Sequence, residues 1–214
     1  MSTNQQDSTT QSSDAPLAAG STDLVALDAH AVRAGVDLLA RATQADLTRP
    51  TPCVEWTLED LLTHMAVQHD GFAAASRGEA DPDLWKVRPL GDDPIAAYRA
   101  SAERLVEAFA EDGVLERMFP LPEFREEPFP GRQAVSFHLV DYVVHSWDVA
   151  KSLGVAVELE PAVVEAAYEI AQMVPTGEAR LVPGAPFGPE IAVSGGTRLD
   201  QVVAHLGRSP NWPG

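Results

Sequence analysis

Apolar residues along the chain recur mainly at helical spacing. Leu24, Leu27, Ala31, Val32, Val36 and Leu39 return to one face of a helix. Asp23 stands ready to cap it, and the pattern fades near Ala45. Thr48 to Glu55 holds two prolines and cannot continue a helix, so it predicts a crossing loop. Thr57 and Asp60, just ahead of Leu61 and Leu62, approximate a capping box and open a second helix to about Arg77. Asp93 followed by Pro94 opens a third, ending around Gly113.

Phe119 to Gly131 has four prolines and three phenylalanines, an ordered loop packed by its aromatics. Gln133 to Leu153 predicts a fourth helix with Gly154 as its stop, and Pro161 opens a fifth through Met173. Pro175 to Pro189 is another Pro/Gly-rich loop. A short strand over Ile191 to Ser194 and a terminal helix over Arg198 to Leu206 complete the pattern. Long amphipathic helices with little strand predict an all-α bundle. Residues 22–174 form the bundle and 175–214 a C-terminal appendage, while 1–21, rich in Ser, Thr and Gln, are expected to be a disordered tail.

Composition narrows the function. The chain has 214 residues and a net charge of −17, with 45% hydrophobic residues. That acidic balance repels phosphate backbones and anionic lipid, so neither nucleic acid nor membrane is expected as a partner. One cysteine excludes an internal disulfide and a thiolate zinc cluster, which fits the cytoplasm. The start lacks a basic n-region and an apolar core and is not expected to be a signal peptide. No Rossmann, P-loop or serine-hydrolase motif is present, and Ser194 to Gly196 predict only a turn.

Chemistry concentrates in the fourth helix. His138, Asp141, His145 and Asp148 follow offsets of three, four and seven, and so share one stripe. Asp141 and His145 stand among Val140, Val143, Val144 and Val149, where unpaired burial is costly. A divalent cation is one compensation; surface His/Asp contacts of little energy are the plainer one. A third ligand has to come from another helix. His64, beside Leu61, Leu62 and Met65, is favoured over His69 and His30.

The runs TPCVEWTLEDLLTHM, HLVDYVVHSWDVA with Gly154 after it, and FGPEIAVSGGTRLDQVVAHLGRSPNW carry a resemblance. From about Thr22 to Trp212 the chain resembles the DinB/YfiT-like metal-binding superfamily. The closest likeness is to the actinobacterial branch related to the N-terminal domain of mycothiol-dependent maleylpyruvate isomerase. That resemblance implies a DinB-like four-helix bundle holding one metal, usually zinc. The implied ligands are His64, Asp141 and His145. The isomerase has Glu where this chain has Asp141, so the shorter side chain requires a closer helix or a bridging water.

Three protein ligands leave a position open on zinc for water or a thiol. The resemblance implies mycothiol as that thiol and a small-molecule electrophile as its target. A transferase or isomerase follows; a non-catalytic metal-binding accessory protein and a hydrolase using bound hydroxide are the alternatives. Iron(II) oxygen chemistry ranks last, because its usual scaffold is not a helical bundle. The isomerase also has a larger C-terminal domain contributing to its site, so isomerisation of maleylpyruvate itself is not expected.

His138 is a candidate catalytic donor or proton carrier, with a plainly packed histidine as the equal alternative. Asp148 could orient an imidazole or pair with Lys151. Cys53 is expected to be a packed small side chain, with no basic group near it in sequence. Trp56, Trp85, Trp147 and Trp212 are expected at packing positions or along a pocket. Monomer and dimer are both open.

Overall fold

The computed structural model describes residues 23–182 and 185–213. The expected disordered tail lies outside them. Helix α1, Leu24–Leu39, starts where Asp23 accepts the backbone N–H groups of Val25 and Ala26, at 3.1 and 3.3 Å. It stops before the expected Ala45, because Thr43 and Asp46 form a capping box of their own and open a 3-10 turn over Gln44–Thr48.

Helix α2, Leu58–Ala75, begins at the expected box. The N–H of Asp60 donates to the Thr57 hydroxyl at 3.2 Å, and the N–H of Thr57 donates to the Asp60 carboxylate at 2.9 Å. Helix α3, Pro94–Phe109, is capped by Asp93 and ends short of Gly113, whose φ of 72° instead begins a 3-10 turn over Val114–Glu116.

The Pro/Phe segment is an ordered loop. It is closed by two-residue strands, β1 (Met118–Phe119) and β2 (Phe129–Pro130), paired antiparallel with Phe119 opposite Phe129. Phe119, Leu121 and Phe129 are buried, whereas Phe124 is exposed. Gly131 then starts helix α4, Gly131–Leu153. A Cβ at Gly131 would sit 2.4 Å from the carbonyl oxygen of Val114, so the close approach demands glycine. Gly154, at φ 71°, ends α4 as expected.

Helices α5 (Pro161–Ala171) and α6 (Arg198–His205) follow, with α6 packed on α5. The strand expected at Ile191–Ser194 does not form. Among the described residues its backbone has no strand neighbour, and the N–H of Ile191 donates to the carbonyl of Ala204 in α6 at 2.9 Å. The result is a mostly helical protein in which α1 lies along α4 and α2 along α3, while α4 also touches α2 and α5. Burial on most sides of α4 makes it the central helix. No described helix is long and apolar enough to cross a membrane.

Candidate metal centre

His64 comes from the second turn of α2, and Asp141 and His145 from the middle of α4. One nitrogen or oxygen from each lies within 4.8 Å of the others. His145 Nε2 faces Asp141 Oδ1 at 3.4 Å, and the imidazoles of His64 and His145 meet edge-on with centroids 5.3 Å apart. His145 is buried, whereas His64 and Asp141 are half-buried. Despite its short side chain, Asp141 thus has an oxygen within 4.8 Å of a nitrogen of each imidazole.

The other nitrogen of His145 is occupied. Nδ1 lies 3.0 Å from Asp148 Oδ2 in the fully buried Asp148 carboxylate. Asp148 is the orienting partner of the imidazole, while Lys151 turns away to donate to the carbonyl of Pro210 at 2.9 Å. With Nδ1–H donated to Asp148, Nε2 is the nitrogen that faces Asp141 and His64.

Two residues join this group from far along the chain. Cys53 Sγ lies 3.3 Å from Asp148 Oδ2, and Arg208 Nη2 lies 3.4 Å from the same oxygen and 3.7 Å from Cys53 Sγ. Sequence reasoning placed Cys53 in packing and missed Arg208. No local spacing joins them, since the contacts form only when the segment after α6 folds back over α4. Cys53 is held by a compact loop. The Thr51 hydroxyl lies 3.1 Å from the carbonyls of Cys53 and Trp56, and Glu55 adopts a left-handed φ of 67°.

Charge separates the two histidines. Burial of His145 opposes its charge, but Asp141 and the Asp148 hydrogen bond override it, and its pKa rises to about 10. His64 goes the other way, lowered to about 4 by burial and then by repulsion from His145. Without metal the pocket therefore holds a proton on His145, which a bound metal would displace, while His64 is already neutral, as a ligand must be. Two imidazoles and one carboxylate, half-open and backed by a carboxylate–histidine pair, fit a divalent metal.

His138 is not in this constellation. Two turns earlier on α4, it is fully buried between Phe72, Phe109 and Tyr142, with Nδ1 2.7 Å from Asp28 Oδ1. The shared stripe therefore splits in two, because α1 offers Asp28 to one histidine and α2 offers His64 to the other. His69 is buried near His138, with Nδ1 3.1 Å from the Ser101 hydroxyl, and His30 sits at the surface 3.0 Å from Glu160. Of the tryptophans, Trp56 packs against His64 with ring centroids 5.0 Å apart, and Trp85 is buried against Phe72.

A cleft of ≈ 400 Å³ opens beside His64, lined by Glu55, Trp56, Asp60, Thr63, His64 and Val87. The model of the mycothiol maleylpyruvate isomerase N-terminal domain matches residues 29–150, which take in α2, most of α4 and all three candidate ligands. The chain belongs to that family. Two relatives are uncharacterized proteins from two strains of Mycobacterium tuberculosis, each 32% identical over 173 residues, 80% of this chain and 90% of the relative. The crystal structure of the mycothiol-dependent maleylpyruvate isomerase superposes with a TM-score of 0.51 at 13% identity, over 69% of this chain and 68% of that one. At that identity the likeness is one of fold. In this family member the fold sets α2 and α4 side by side so that their polar residues meet.

Proposed function

We propose that the chain binds one divalent metal, zinc by preference, through His64, Asp141 and His145, and uses it in a thiol-dependent transfer to, or isomerisation of, a small electrophile. The supporting observation is the convergence of two imidazoles and a carboxylate beside an open cleft. Three protein donors are one fewer than a closed structural zinc site takes. Bound there, the metal supplies Lewis acidity that lowers the pKa of a thiol or water in the remaining position.

The chain's own residues prepare that chemistry. Asp148 fixes the tautomer and angle of His145, and Arg208 and Cys53 hold Asp148 in turn. Burial keeps His64 neutral at physiological pH. Trp56 packs against the His64 ring and helps fix its orientation. No chemical role is assigned to His138. Family membership supports mycothiol as the thiol, and the reading places the protein in the cytoplasm.

The test is to replace the metal with cobalt and add mycothiol while recording the visible spectrum. A sulfur-to-metal charge-transfer band is expected, with apparent thiol affinity rising with pH until the free thiol ionises. Intact cobalt loading without the band at saturating thiol would leave plain metal binding or hydroxide-based hydrolysis. Cys53→Ser should keep the band, because the thiol is supplied from outside.

A further inference from the structure

We propose that the cleft beside His64 selects an uncharged electrophile with a planar face and turns away anionic keto acids. The word electrophile rests on the thiol-transfer reading above; the selection is a property of the cleft walls. At ≈ 400 Å³ the cleft has room for one small ligand. Of the residues lining it, Trp56 and Val87 supply apolar surface. The Trp56 indole is tilted against the His64 ring, and Val87, which also lines the cleft, is 70% exposed. The loop carrying Trp56 is pinned by the Thr51 hydroxyl, so this wall is formed before any ligand arrives.

The charges on the lining have one sign. Glu55 and Asp60 both line the cleft, and Asp60 is held below the usual carboxylate range by the Thr57 hydroxyl and then the Thr57 backbone. Asp141 adds a further carboxylate beside His64. The nearby cations are engaged elsewhere. Lys86 and Arg88 flank Val87 in sequence, but Lys86 Nζ lies 2.6 Å from Asp83, and the Arg88 guanidinium donates to the carbonyls of Asp83 and Lys86 at 3.2 and 3.4 Å. Arg208 is turned to Asp148 and Cys53. A keto acid such as maleylpyruvate would bring its carboxylates to a cleft that, among the described residues, has no lysine or arginine in its lining, on a chain whose net charge is already −17.

The experiment compares 2-naphthamide with 2-naphthoate, which share a ring system and differ in charge. Binding is read from quenching of tryptophan fluorescence, in the full chain as purified and again after chelation, so that coordination of the carboxylate to metal cannot decide the result. Trp56→Phe should remove the quench and so locate the signal in the cleft. The amide is expected to bind about tenfold more tightly than the acid, from two to three carboxylates at several ångströms in partly aqueous surroundings. Glu55→Lys should erase most of that ratio, and added salt should narrow it. Equal or tighter binding of naphthoate, a ratio indifferent to Glu55→Lys, or no binding of either compound would overturn the proposal. None of these outcomes touches the metal-and-thiol reading, which the cobalt spectrum tests separately.

Discussion

Helix α4 carries two histidines seven residues apart, each hydrogen-bonded to a buried aspartate, and they do opposite things. At His138 the partner Asp28 comes from α1 and the surroundings are aromatic on several sides, so the pair is sealed. At His145 the partner Asp148 lies on the same helix, and the ring's other nitrogen faces Asp141 and His64, the latter lining the cleft. A histidine becomes a candidate ligand through what its free nitrogen faces, and burial or a carboxylate partner alone does not distinguish the two.

The sharpest way to break that comparison is to truncate the sealed member. His138→Ala leaves the Asp28 carboxylate buried without its partner and opens a hole among aromatic rings. It should cost about 3 kcal/mol of stability, measured by urea unfolding, while metal content per folded chain stays the same. A loss of metal with unchanged stability would mean that the two histidines have been assigned the wrong way round. At the open end, Asp148→Asn removes the charge behind His145. Metal affinity should fall by about 10–100-fold in a chelator competition, with the fold retained by circular dichroism.

Acid pH sharpens the contrast further. Burial, and then repulsion from His138, hold the His69 pKa well below 6.5, and His64 is lowered to about 4. Below 6.5 the unfolded chain therefore binds protons that the folded chain refuses, and stability falls as pH drops. The metal-free protein should lose up to about 1.4 kcal/mol per pH unit for each such histidine between pH 6.5 and 4.5. The raised pKa of His145 acts in a different window, since its contribution is complete below 6.5 and lost as pH rises toward 10. His69→Leu should flatten the acid slope; an unchanged slope would show that His69 takes up its proton while still folded.

The smallest effect concerns the chain's start. Deleting residues 1–21 should leave the melting temperature almost unchanged, because the segment has no apolar periodicity with which to dock. A drop of several degrees would show that it belongs to the fold.

Much of this was visible in the sequence where the signal is local. Thr57 with Asp60, Asp93 with Pro94, and Gly154 mark their helix ends through contacts made within a few residues. The pairing of Asp141 with His145 was also accessible, since valines around a polar stripe are a conflict that something must resolve, whereas His64 was only the favoured third partner until the family resemblance implied it. Local reasoning failed where the deciding partner is distant. Asp28 and His138 are 110 residues apart, and Arg208 lies 155 residues from Cys53, so only the folded chain shows either contact. The strand expected at Ile191–Ser194 failed for a related reason: β-branched residues favour extension, but among the described residues no neighbouring strand is there to pair with it.

Metal content tests the central claim most directly. Wild type, His145→Ala and the conservative His138→Asn, purified without chelator, would be compared by elemental analysis. About one divalent metal per chain is expected in wild type and in His138→Asn, and none in His145→Ala. Wild-type protein that contains no stoichiometric metal and takes none up, or equal loss in both variants, would contradict the account.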